Sequence, residues 1–221
     1  MPEIYERHLT FTGNNLGRET TIMFTFDAPR KGMYKNFYPI VWRVCTFGKE
    51  GSYSMKASYT SQLAFLKTQV EDGSIIDAAT CVNINLSCRK AKKTILTQDD
   101  EEVFHFSEPV PCEEGFMEAE NKTGSVQDLA IGFVSPGELF PTPAHYYNDL
   151  GDGSTAVAAT FTPKLRAYIT SDYQESAILR SAIHTPCIFE YDLASLAENT
   201  TWNLTFDHRN GYKVSKADRQ H

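Results

Sequence analysis

Between residues 20 and 87 the chain repeatedly sets apolar side chains against more polar ones with a period of two. Ile22, Phe24 and Phe26 point one way, and Met23, Thr25 and Asp27 the other. Ile40, Trp42 and Val44 alternate with Val41, Arg43 and Cys45. The longest run sets Ile76, Ala78, Thr80, Val82, Ile84 and Leu86 against Asp77, Ala79, Cys81, Asn83, Asn85 and Ser87. A strand turns successive side chains to opposite faces, so this period predicts strands with one face on a core and one more polar face. The stretch D-L-A-I-G-F-V (128–134) is apolar on both faces and is predicted to be a central, doubly covered strand. Many short strands in 221 residues predict an all-β fold, an antiparallel β-sandwich with short helical turns, in a single domain over 1–221. A barrel is the other architecture the pattern admits.

Turn chemistry agrees with strands. E-D-G-S (71–74), G-D-G-S (151–154) and R-N-G-Y (209–212) carry Asp-Gly or Asn-Gly pairs, which accept positive φ and match hairpin twist. G-D-G-S-T reads as a hairpin turn into a strand carrying Val157, Ala159 and Phe161. Pro-rich joints fall at 28–39, 107–115 and 135–143. Helix is confined to two candidates. Residues 191–199 predict a short helix with Asp192 as its N-cap. Residues 171–183 combine a Ser171/Gln174 capping box with strand-like neighbours and suit either state.

Charge narrows the function classes. The formal net charge is -7, and the dense basic run is C-R-K-A-K-K (88–93), read as a solvated loop or strand edge. Nucleic acid is therefore excluded as the expected partner, because phosphate binding relies on basic fields. No stretch approaches the roughly 18–20 apolar residues of a transmembrane helix. The opening M-P-E-I-Y-E-R-H-L-T-F carries charges where a signal peptide has its apolar core, so a cytoplasmic location is expected. Cys45, Cys81, Cys88, Cys112 and Cys187 are odd in number and widely spaced, which fits reduced thiols. N-x-[S/T] triplets at Asn85, Asn121, Asn199 and Asn203 are expected to be unglycosylated in that compartment.

H-Y-Y-N-D-L-G-D-G-S-T (145–155) holds the densest site-like chemistry. His145 and Asp149, with Asp152, suit a divalent metal ion at a loop mouth; the competing reading has Asp149 and Asp152 shaping Asx turns. Gly151-x-Gly153-x-x-Ala156 matches a dinucleotide fingerprint only as text, since a strand rather than a helix follows. No G-x-S-x-G or H-E-x-x-H occurs, and His8, His105 and His184 sit in strand-like text. A Cys–His pair from distant segments would restore nucleophilic catalysis. The acids of T-Q-D-D-E-E-V-F and C-E-E-G-F-M-E-A-E read as solvated runs rather than as a glycosidase pair. Aromatics make up 12% of the chain, and loops 28–39 and 135–150 concentrate them, where sheet packing does not require them. Tyr38, Trp42, Tyr146, Tyr147, Tyr168 and Tyr173 are the predicted ligand-binding residues, with Tyr34, Phe37 and Phe140 as further candidates.

At F-Y-P-I-V-W-R-V (37–44), Y-T-S-Q-L-A-F (59–65), A-Y-I-T-S-D-Y-Q-E-S (167–176) and T-W-N-L-T-F (201–206) the chain resembles a group of uncharacterised mushroom (basidiomycete) all-β proteins. The resemblance spans Phe37 to about Trp202 and carries no catalytic motif, so it transfers no site residue. Mushrooms also contain pink chromoproteins of about this size that hold a small indole-type pigment; that likeness is one of size and source, and no motif carries it. The loop aromatics and the absence of a catalytic motif point to a non-enzymatic small-molecule-binding protein that holds an aromatic ligand or pigment, with a divalent metal ion at His145 and Asp149. Mushroom β-proteins also include lectins and membrane-active defence proteins, and a defence lectin or membrane-binding protein is the alternative expectation. A hydrolase or isomerase is the third, requiring a Cys or His in a pocket beside a second titratable group.

Overall fold

A computed structural model describes residues 4–84, 92–112, 116–135, 138, 140–159 and 161–217. Among these, the chain forms seventeen strands and one 3-10 turn. The strands in order are β1 (Glu6–Asn14), β2 (Thr20–Thr25), β3 (Tyr38–Pro39), β4 (Val41–Phe47) and β5 (Ser52–Thr60). Next come β6 (Leu63–Glu71), β7 (Ser74–Ile84), β8 (Lys93–Gln98), β9 (Phe104–Phe106), β10 (Phe116–Lys122) and β11 (Gln127–Phe133). The last six are β12 (Thr142–Leu150), β13 (Thr155–Ala159), β14 (Lys164–Ile169), β15 (Cys187–Asp192), β16 (Asn199–Asp207) and β17 (Gly211–Lys216). They pair into four sheets, ordered β17-β16-β1-β5, β13-β10-β8-β9, β3-β12-β11-β6-β7 and β15-β14-β2-β4.

The fold is all-β and sandwich-like: the sheets pack face to face on one large apolar cluster. Leu9 and Phe11 of β1, Phe24 of β2, Phe65 of β6, Leu96 of β8, Phe133 of β11 and Leu165 of β14 all enter it. Burying one such side chain is worth about 1.5–3 kcal/mol, so this cluster supplies most of the driving force. Phe26 sits at its centre, with the rings of Trp42, Tyr59, Phe133 and Phe161 at 5.3–6.0 Å. The expected central strand 128–134 is β11, flanked on both sides in its sheet and buried on both faces over Leu129–Phe133.

Several local expectations need correction. The pairing is not wholly antiparallel: β1 runs parallel to β16, and β10 parallel to β8. Asp72 (φ 48°) and Gly73 (φ 75°) close the β6–β7 hairpin as expected. The same dipeptide at Asp152-Gly153 closes none, because it carries the chain from the β3-β12-β11-β6-β7 sheet to β13 in another. Strand β7 contains two bulges, so its faces exchange along its length. Ile76, expected inside, is 59% exposed, and Ile75 is buried instead. The helix expected at 191–199 contracts to one 3-10 turn, Leu193–Ser195, whose N-cap is Asp192 with Oδ1 accepting from the Ala194 amide at 2.9 Å. Residues 171–183 form no helix. Most of the basic run 88–93, together with Cys88 and Asn85, lies outside the described residues.

Candidate functional site

Strands β2 and β14 pair so that Met23 and Tyr168 face each other, as do Thr25 and Arg166. Their alternate side chains, Phe24 and Ala167, go into the large core. The other face is the polar face of the alternation, yet Met23, Thr25 and Asp27 are buried there. The chain segment after β14 folds back over it: Tyr173, Ala177, Leu179 and Ile183 pack with Met23, Val41 and Tyr168 as a separate apolar cluster. The 28–37 loop closes a second side, and Tyr34 adopts φ 61° within it. That left-handed conformation costs of order 1 kcal/mol or more in a non-glycine residue and persists where its surroundings hold it.

Between these two coverings lies a cavity of about 400 Å³. Asp27, Arg166 and Tyr168 form its polar floor; Met33 and Tyr34 come from one loop, and Ile183, Thr185 and Cys187 from the other side. Asp27 is only 3% exposed. Its Oδ2 accepts from the Tyr168 hydroxyl at 2.7 Å and faces Arg166 Nη1 at 3.4 Å. Arg166 Nε in turn meets Glu190 at 3.0 Å. Asp27 Oδ1 is buried and has no hydrogen-bond partner, and the same holds for the Thr185 hydroxyl. Burial dominates the carboxyl and raises its pKa, against the opposing pull of Tyr168 and Arg166. Burial and the Asp27 charge push the Tyr34 phenol up to about 12.

Arg30 reaches the cavity from the 28–37 loop. It donates to the Thr162 carbonyl at 3.1 Å and lies over the Phe161 ring. Burial lowers its pKa. Among the described residues no carboxylate pairs with it, whereas Arg166 at the same cavity has two.

The structure distributes the six expected ligand aromatics over three places. Tyr168 lines the cavity, and Tyr173 packs in the apolar cluster beside it. Trp42 and Tyr147 are buried in the large core. Tyr38 and Tyr146 belong to a second small cluster, with the Arg180 guanidinium over both rings at 4.9 and 5.4 Å. They therefore do not share one pocket. The cavity adds Tyr34, and a residue outside the expected set, Asp27.

The two residues expected to hold a metal ion, His145 and Asp149, lie in different surroundings. His145 is buried between the rings of Phe37 and Phe161, and its Nε2 lies 2.9 Å from the Phe26 carbonyl. A carbonyl only accepts, so Nε2 carries the proton and Nδ1 is the unprotonated nitrogen. Burial holds the ring neutral, with a pKa of about 4. Asp149 is exposed, at φ 53°. Among the described residues, no three His, Cys, Asp or Glu side chains come together to hold an ion.

The remaining candidates have structural partners. Asp99 caps the β8–β9 hairpin, accepting from the Glu101 and Val103 amides, and meets His105 at 2.8 Å. Glu118 and Glu120 flank Lys93 at 3.6 and 3.4 Å. Asn121 is fully buried and donates to the Ser125 and Leu150 carbonyls, which leaves it no room as a glycan acceptor. A second hollow, of about 370 Å³, runs past His8 and Ser58. There His8 Nδ1 lies 3.0 Å from the Ser58 hydroxyl, and Nε2 lies 3.6 Å from the Glu6 carboxylate. No protein-family model, curated protein or solved structure matches the chain.

Proposed function

We propose that this chain is a small-molecule-binding protein and that its ligand occupies the cavity above Asp27. The observation that carries the reading is the unpartnered Asp27 Oδ1. A buried acceptor without a donor costs about 1–3 kcal/mol, more when charged, and a ligand in the cavity that supplies a donor would recover that cost. The volume suits a ligand of modest size, and the walls combine few polar groups with the apolar surfaces of Met33, Tyr34 and Ile183. An aromatic ligand or pigment fits these walls, with Tyr34 and Tyr168 as the aromatic neighbours. Cys187 also lines the cavity, but no histidine does, so the Cys–His arrangement that would favour a hydrolase or isomerase is not assembled there.

The test is native mass spectrometry of the protein purified from its own source, alongside its absorption spectrum. The expected result is a small organic adduct, released on denaturation and lost from Ile183→Trp, which fills the cavity mouth. A bare polypeptide mass, or an adduct indifferent to Ile183→Trp, overturns the reading.

A further inference from the structure

Four polar groups at this cavity lack a full complement of partners, and they differ in kind: Asp27 Oδ1, the Thr185 hydroxyl, Arg166 Nε and the Arg30 guanidinium. Asp27 Oδ1 is an acceptor and needs a donor. Arg30 is a half-buried cation with no carboxylate partner among the described residues, and it needs an anion. The Thr185 hydroxyl takes either. Arg166 is the weaker anion receptor of the two arginines, since the Asp27 and Glu190 carboxylates already offset its charge, although its buried Nε makes no hydrogen bond. The Tyr168 hydroxyl is equally committed, to Asp27 Oδ2. The acceptor on the floor is thus Asp27 Oδ1, and the cation without a counter-charge among the described residues is Arg30 on the 28–37 loop.

We propose that the ligand is a small organic acid that also carries an N–H or O–H donor, its carboxylate on Arg30 and its donor on Asp27 Oδ1. This rests on the small-molecule reading above and names the class of molecule. A neutral ligand leaves Arg30 without a counter-ion, and a simple cation meets Arg30 as a like charge. An acid without a donor leaves Asp27 Oδ1 unsatisfied. The two requirements are separable, because the groups sit on different chain segments and share no hydrogen bond with each other.

A matched trio tests the class by titration calorimetry: 4-hydroxyphenylacetate carries both features, 4-methoxyphenylacetate lacks the donor, and 4-hydroxyphenylacetamide lacks the charge. The first is expected to bind at least tenfold more tightly than either of the others. Arg30→Gln should abolish the preference for the acid over the amide and keep that for hydroxyl over methoxy. Asp27→Asn should do the converse. Because Asp27 also anchors Tyr168 and Arg166, its variant is read only with an unfolding curve beside it; Arg30→Gln carries the test if Asp27→Asn fails to fold. Equal binding of the three, a charge preference that survives Arg30→Gln, or no binding of any of them overturns the proposed class. A cavity adduct in the native mass spectrum would still stand in those cases, so the two readings fail separately.

Discussion

The sheet β15-β14-β2-β4 has two buried faces that solve the same problem differently. On the inner face Ile22, Phe24, Phe26, Leu165 and Ala167 join the large apolar cluster shared with the other sheets. On the outer face Met23, Thr25, Asp27, Arg166 and Tyr168 are covered by two loop segments that leave a cavity between them. The inner face packs ring against ring, and the histidine buried against it, His145, is neutral and hydrogen-bonded to the Phe26 carbonyl. The outer face retains a buried acid, an ion pair and unfilled space, features that cost stability. Burial alone therefore does not identify the core here; the chemistry buried separates a stabilising layer from a binding layer.

The largest expected effect measures that contrast in packing. Phe24→Ala should destabilise the chain by about 3–5 kcal/mol, since it opens a void in a close-packed ring cluster. Ile183→Ala, at the wall of an existing cavity, should cost less than about 1 kcal/mol, because it leaves few contacts to lose. Denaturant unfolding of the two variants decides the matter. Equal losses would mean that the outer face is packed as a core, and the comparison would break.

The two faces should also respond to pH with opposite sign. His145, against the inner core, is depressed to about 4 from an ordinary 6.5. Between these values the unfolded chain takes up a proton that the folded chain refuses. Stability present above pH 6.5 is lost as pH falls through about 4, on the order of 3 kcal/mol in total. Asp27, on the outer face, is raised above 3.8. There the folded chain holds the proton longer, so its contribution is present below pH 3.8 and lost as pH rises through the folded value. The stability of the parent minus that of His145→Gln should rise with pH from 4 to 6.5. The parent minus Asp27→Asn should fall as pH climbs above 3.8. Two differences sloping the same way would remove the electrostatic half of the contrast.

Much of this arrangement is legible in the sequence, and the gaps have physical causes. The alternation of 22–27 places Asp27 opposite Phe26, and the structure keeps that division. What the alternation cannot show is that the polar face is covered, because the covering segment 170–187 has no period of its own and meets β2 only through the fold. Tyr34 and Tyr168 are readable as candidates; Asp27 is not, since a lone acid ending a strand ordinarily faces water. The bulges that expose Ile76 depend on the partner strand β6, and the parallel pairings join segments far apart in the chain. The two Asp-Gly pairs differ for the same reason. At 72–73 a paired strand follows immediately, whereas at 152–153 Asn121 takes the Gly153 amide at 2.7 Å and turns the chain into another sheet.

The smallest expected effect separates the floor of the outer face from its wall. Thr25 and Thr185 both hold buried hydroxyls. Thr25 is wholly buried and donates to the Ile40 carbonyl at 2.9 Å, while the Thr185 hydroxyl has no partner. Valine has nearly the shape of threonine, so the substitution removes the hydroxyl and little else. Thr25→Val should cost about 1–2 kcal/mol, because the Ile40 carbonyl loses its donor. Thr185→Val removes an unsatisfied group and should be neutral or stabilising by up to about 1 kcal/mol. Thermal unfolding of the pair provides the measurement. A loss in Thr185→Val equal to that in Thr25→Val would show that the Thr185 hydroxyl is already satisfied in the free protein. It would then be unavailable to a ligand, and the demand at the cavity would shrink to Asp27 and Arg30.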